Sequence, residues 1–224
     1  MKTILAVATL ALTAGAAAGD IITQWDFNGP RAGKNLTAPA TSIGLGSASL
    51  VGGTTAAWAA GSPNDPAVTD DDRWNTTTYA AQGTGSGTRG VEYAVSTVGY
   101  TNISFTADIR NSNTSSRWIE ILAAYDGVNF VSVGTFNATA GDQWNTRSVI
   151  LGAAADNNAS LRIQVVAIFD PAAGAYTAAN PTGTYATSGT IGYDLVTFEG
   201  TLIPTPGAAA LMALGGLVAA RRRR

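Results

Sequence analysis

The chain contains no cysteine and no histidine among its 224 residues. Without cysteine there is no disulfide framework, no thiol nucleophile and no thiolate metal ligand. Without histidine the Ser-His-Asp and Cys-His mechanisms, histidine-ligated zinc and the usual proton shuttle are excluded together, and with them most hydrolase chemistry. Glutamate occurs three times, as Glu92, Glu120 and Glu199. Positive charge is also scarce. Lys2 and the four terminal arginines are five of the 13 basic residues, so eight remain against 15 acids and residues 19–203 carry a formal charge of −7. Lys34 and seven scattered arginines do not make a nucleic-acid surface, which requires clustered Lys and Arg, so no nucleic acid is expected as a partner. No internal repeat is present, and no stretch of the body has the 3.6-residue apolar period of an amphipathic helix.

What the chain does have begins at its ends. Lys2 supplies a positive n-region, residues 4–14 an apolar h-region, and Ala14-Gly15-Ala16 or Ala16-Ala17-Ala18 a small-residue cleavage site, so residues 1–18 read as a secretory signal peptide. At the other end, Pro204-Thr205-Pro206 breaks the chain, residues 207–220 are small and apolar, and Arg221, Arg222, Arg223 and Arg224 close it. Four guanidinium groups favour the cytoplasmic side of a membrane and place the preceding domain on the far side. Fourteen helical residues reach only about 21 Å, against a hydrocarbon core of about 30 Å, which weakens the reading as a permanent single-span anchor. A Pro-x-Pro motif, a short apolar helix and an arginine cluster behind a signal peptide resemble the PEP-CTERM sorting signal of bacteria that make extracellular polymer. Thr205 stands where that family usually has glutamate, and the Pro-Thr-Pro-Gly form resembles tails from planctomycete-type bacteria. The resemblance implies an exosortase-type sorting protease as partner, a membrane contact through residues 204–224 that is at least transient, and export to the cell envelope, cell surface or extracellular matrix.

Between these signals, residues 19–203 form one domain with period-two patterning. Ile103, Phe105, Ala107 and Ile109 alternate with Ser104, Thr106, Asp108 and Arg110, which puts the apolar set on one face of a strand. Val91-Tyr93-Val95 and Leu161-Ile163-Val165 alternate likewise, and in residues 117–125 Ile119, Ile121 and Ala123 oppose Trp118, Glu120 and Leu122. Asp126-Gly127 turns that strand into the next. With segments at 21–27, 48–51, 144–150 and 190–198, about nine strands are expected, and the predicted architecture is an all-β antiparallel β-sandwich of jelly-roll type. Residues 52–90 and 170–188 read as long loops. The segments Ile21-Ile22-Thr23-Gln24-Trp25-Asp26-Phe27-Asn28-Gly29, Tyr100-Thr101-Asn102-Ile103-Ser104 and Gly192-Tyr193-Asp194-Leu195-Val196-Thr197-Phe198 resemble exported bacterial jelly-roll domains related in shape to carbohydrate-binding modules. That resemblance implies a fold and no particular ligand.

Candidate chemistry is sparse. Trp58, Trp74, Tyr79 and Trp118 are the candidate sugar-stacking residues, each weighed against the core position that most sandwich tryptophans take. Asp26 and Asp194 lie in the first and last strands, which are adjacent in many jelly rolls. Related modules hold a structural calcium ion between their termini, so this pair is the candidate metal site, set against two aspartates that never meet. Asp70-Asp71-Asp72 reads as a solvated acidic loop, lacking the spacing of a calcium loop. Glu92 and Glu120 are the only pair that suits carboxylate-driven glycoside hydrolysis, and a polar outer sheet face explains both. The expected function is a non-catalytic structural or adhesive role in the envelope or matrix; the alternative is a carbohydrate-binding module with extracellular polysaccharide as partner, and the third reading is a carboxylate-dependent polysaccharide hydrolase.

Overall fold

A computed structural model of the protein describes residues 19–204. The expected signal peptide at 1–18, the expected apolar tail helix at 207–220, Thr205, Pro206 and Arg221 to Arg224 lie outside the described residues. Within them the chain forms eleven strands: β1 (Asp20–Trp25), β2 (Gly46–Val51), β3 (Thr55–Ala60), β4 (Asp72–Thr77), β5 (Gly90–Val95), β6 (Tyr100–Asn111), β7 (Trp118–Ala124), β8 (Phe130–Asn137), β9 (Gln143–Ile150), β10 (Leu161–Ile168) and β11 (Ile191–Leu202). The one helix among the described residues is a 3-10 turn at Ala153–Ala155, and no described helix is long and apolar enough to cross a membrane.

The strands build two antiparallel sheets in a sandwich of jelly-roll type. One runs β3-β4-β11-β6-β9, with β1 also paired to β11; the other runs β2-β5-β10-β7-β8. The period-two reading holds in detail: Ile103, Phe105, Ala107 and Ile109 are fully buried, as are Ile121, Ala123, Ile163 and Val165. Aromatic rings join the two inner faces. Trp25 packs on Tyr93 at 5.1 Å and Phe105 on Tyr93 at 6.2 Å between centroids, both in tilted arrangements that add to the area they bury.

Residues 52–90 are not one long loop. They contain β3 and β4, which pair with each other, Trp58 facing Trp74, and join the first sheet through Tyr193 opposite Trp74. The reason is physical: β4 buries Asp72, Trp74 and Thr76 while Arg73, Asn75 and Thr77 are half-buried. Two of its three inward residues are polar, so its alternation does not show as hydrophobicity.

The placement of β1 and β4 creates the feature on which the site is built. Both lie on the same side of β11, end to end: β4 pairs with Ile191 to Tyr193, and β1 with Val196 to Gly200. Asp194 and Leu195 fall in the gap between them, at an irregularity in the β11–β6 pairing, and Leu195 takes a positive φ of 45°.

Candidate functional site

Asp194 lies opposite Asp108 of β6, and its side chain is on the outer face of the first sheet, yet it is fully buried. The segment between β3 and β4 covers it. Ser62 donates its backbone N–H to Asp194 Oδ2 at 2.6 Å and its hydroxyl to Asp108 Oδ2 at 2.5 Å, so one serine holds that segment to two strands. The same segment brings in Asp65 and Asp71, and one carboxylate oxygen from each of Asp65, Asp71 and Asp194 lies within 4.8 Å of the others. Burial pushes the Asp194 carboxyl up to about 8; the N–H groups of Ser62 and Leu195 oppose the rise, and the Asp65 and Asp71 charges add to it. Asp71 is raised as well, by burial and then by Asp65 and Asp72.

Among the described residues no Lys or Arg forms an ion pair with any of these three acids. Asp71 Oδ1 is buried with no hydrogen-bond partner. Gly61 leaves the room for it: a Cβ there would collide with Asp71 Oδ1 and crowd Asp194 Oδ2. Three carboxylates, one with an orphaned oxygen, in a cradle closed by a glycine could hold a hard metal ion, of whose oxygen shell they would supply a part.

The acidic run therefore does not stay solvated as a unit. Asp70 is exposed, Asp71 turns into the cluster, and Asp72 is buried on the other side. Arg31 grips Asp72 through Nε at 2.9 Å and Nη2 at 2.7 Å, and Lys34 reaches it at 2.7 Å. Burial alone would raise the Asp72 carboxyl, but hydrogen bonds and charge from Arg31 and Lys34 hold it below the ordinary range. The sequence signal for this division was slight, because strand alternation separates residues 71 and 72 only once β4 is recognised.

Lys34 of that clamp also lines a cavity. Asp26, Phe27, Asn28, Lys34, Asn35, Thr41, Ser42 and Trp58 are among the residues lining about 480 Å³ at the edge of the sandwich. Lys34 Nζ sits 4.5 Å from the Trp58 ring centroid, and the Phe27 ring lies 6.2 Å away. The Trp58 indole N–H is buried without an acceptor. The cavity thus combines an aromatic wall, the Lys34 ammonium and several hydroxyl and amide groups, in the size range of small-ligand sites.

The remaining candidates separate clearly. Trp74 is fully buried and donates its indole N–H to Leu36 O at 2.8 Å, and Tyr79 is buried with its hydroxyl 2.5 Å from Thr76 Oγ1. Neither presents a ring to solvent, because both complete the aromatic core. Trp118 is half-buried on β7, away from the cavity lining, with its indole N–H unpartnered. The adjacency of first and last strands is correct, but Asp26 does not join the acid cluster: its Oδ1 accepts the Asn28 N–H at 3.1 Å and the residue lines the cavity instead. Glu92 is tied to Arg162 and to Gln164 Nε2, the latter at 2.8 Å, and Glu120 lies in register with Val166 on the same sheet.

No protein-family model matches the chain, and no curated protein does. Solved structures resemble it in shape. The CBM22-1–GH10 modules of a Clostridium thermocellum endo-1,4-β-D-xylanase, complexed with xylohexaose, align at a TM-score of 0.46 and 10% identity over 70% of this chain. This chain spans 27% of that one. The CBM22-1 xylan-binding domain from Paenibacillus barcinonensis Xyn10C aligns at 0.45 and 12% identity, covering 85% of this chain and 100% of that one. The K1 cleaved adhesin domain of Lys-gingipain from Porphyromonas gingivalis aligns at 0.38 and 12% identity, over 70% and 99%.

Proposed function

We propose that the protein is an exported, non-catalytic carbohydrate-binding domain whose ligand enters the cavity beside Trp58, and whose fold is stabilised by a calcium ion held by Asp65, Asp71 and Asp194. The observation that carries the binding reading is the Trp58 indole: an aromatic face beside the Lys34 ammonium donor in the wall of a cavity of about 480 Å³. A sugar ring presents apolar C–H faces and acceptor oxygens, which suit the ring and the donor together. This turns the reading from a purely structural or adhesive role toward saccharide binding. Of the lining residues only Asp26 is acidic, whereas glycoside hydrolysis uses two carboxylates about 5–10 Å apart, which supports binding without catalysis.

A glycan-array screen of the full-length chain, followed by titration of the best oligosaccharide, tests this. Trp58→Ala is expected to weaken binding at least about tenfold, equivalent to about 1.4 kcal/mol. Unchanged affinity in a variant that melts normally would remove the cavity as the site. Export and tail processing belong to the same proposal: mass spectrometry of native protein is expected to find a C-terminus near Thr205, and recovery of Arg224 on most molecules would instead indicate a permanent anchor.

A further inference from the structure

The outer face of the first sheet carries a second arrangement, away from the cavity. In register across four strands, Asn75 of β4 faces Gly192 of β11, Gly192 faces Arg110 of β6, and Arg110 faces Trp144 of β9. Arg73 lies across this row. Its stem occupies the space above Gly192, where a Cβ would collide with Arg73 Cδ. Its Nε donates to Asn75 Oδ1 at 3.1 Å and its Nη1 to Ala60 O at 2.6 Å, and the guanidinium carbon stands 5.7 Å from the centroid of the half-buried Trp144 ring. Arg110 pairs with the exposed Asp142 at 2.7 Å. Arg73 has no carboxylate within ion-pair distance among the described residues.

Two guanidinium groups therefore stand beside one flat aromatic ring, and of the two only Arg110 has a carboxylate partner among the described residues. Burial lowers the Arg73 pKa most, and the like charge of Arg110 lowers it further; Asp142 and Asp194 oppose this less strongly. An anion at this position would relieve the repulsion and accept hydrogen bonds from a planar fork that suits a carboxylate. Two arginines on a body of charge −7 are too few for a phosphate backbone, but they suit a chain of sugar acids, whose rings supply the stacking surface for Trp144.

We propose that this face is a second binding site, for a polyuronate: carboxylates engage Arg73 and Arg110 while a sugar ring stacks on Trp144. The site stands on its own residues and does not depend on the cavity beside Trp58.

The test is titration of the full-length chain with polygalacturonate and with its methyl ester, both in chelator so that no divalent cation bridges protein and polymer. The acid is expected to bind at least about tenfold more tightly than the ester, and raising salt from about 50 to 500 mM should reduce that preference, though less than for fully exposed charges, because both guanidinium groups are partly buried. Arg73 also fills the space over Gly192, so Arg110→Gln and Trp144→Ala carry the decisive arms. Each should weaken polygalacturonate binding at least about tenfold, or about 1.4 kcal/mol, and leave the melting temperature nearly unchanged. Trp58→Ala should leave this affinity intact. Equal affinity for acid and ester, or binding that survives the Arg110→Gln/Trp144→Ala double variant, overturns the proposal whatever happens at the cavity.

Discussion

Two buried acids, Glu92 on the second sheet and Asp194 on the first, are accommodated in opposite ways. On the second sheet Glu92 of β5 faces Gln164 of β10 and pairs with Arg162, so the charge is answered by the neighbouring strand. On the first sheet Asp194 accepts two backbone N–H bonds, but its carboxylate neighbours are Asp65 and Asp71. Burying a charge is tolerable when it is paired, and expensive when it is left among its own kind. Glu92 has its cationic partner on the next strand, whereas Asp65, Asp71 and Asp194 have none among the described residues. Asp71 and Asp72 show the same contrast between adjacent residues, one orphaned and the other clamped by Arg31 and Lys34.

The contrast predicts opposite signs for charge removal. Arg162→Ala leaves Glu92 buried without its ion partner and should lower unfolding free energy by at most about 3 kcal/mol, the low end for a fully buried pair, because the Arg162 side chain is 40% exposed and Gln164 still donates to Glu92. Asp194→Asn should instead stabilise the protein when measured in chelator above about pH 8, where the wild-type carboxyl is ionised and burial and two neighbouring acids disfavour that charge. Denaturant titration of both variants gives the comparison directly, and a large loss for Asp194→Asn in chelator would dissolve it.

Next in size is the ion itself. A ligand that binds only the native state stabilises it by about 2.7 kcal/mol at a hundredfold excess over Kd, and for a domain of this size each kcal/mol moves the melting temperature by about 2–4 °C. Calcium should raise the melting temperature of the full chain accordingly, chelation should reverse it, and Asp194→Asn should abolish the response. Identical melting curves in calcium and in chelator would show that the first sheet tolerates its acids unaided.

The pH dependence follows in size. Asp194 titrates near 8 in the folded chain and near 4 when unfolded, so between those values the folded state holds the extra proton. Stability contributed by this group is therefore complete below about pH 4 and falls as pH rises toward 8, by at most about 1.4 kcal/mol per unit. In chelator the melting temperature should decline between pH 6 and 8 and Asp194→Asn should flatten the slope; a wild-type curve as flat as that of the variant would remove the uncompensated charge.

Much of this organisation was legible beforehand, and the gaps have physical causes. The strands with apolar inner faces announced themselves by period two, and the adjacency of first and last strands put Asp194 at the right junction. β3 and β4 escaped because Asp72 and Thr76 face inward and because β3 is mostly alanine. With those strands unseen, Asp65 and Asp71 had no reason to approach Asp194, and Asp26 was the natural partner. Trp58 was distinguishable from Trp74 only by strand order: the two are cross-strand neighbours, but β3 is the edge strand and β4 is not. The row from Asn75 to Trp144 spans four strands far apart in sequence, and no local pattern encodes it.

The smallest expected effect is the most selective. Gly61 has an ordinary backbone conformation, so its value lies in the missing Cβ, which leaves room for Asp71 Oδ1 beside Asp194 Oδ2. Alanine there must displace the end of a flexible side chain, and in chelator that displacement separates like charges. The two effects oppose each other, so Gly61→Ala should change unfolding free energy in chelator by less than about 1 kcal/mol, within the range of ordinary substitutions. In calcium the same variant should lose most of the stabilisation that the ion supplies, because one of three carboxylates has been moved out of the site. Melting curves with and without calcium read both quantities from one preparation. If Gly61→Ala retains the full calcium response, Asp71 is not a ligand, and the buried acids of the first sheet are balanced by something other than an ion at this cluster.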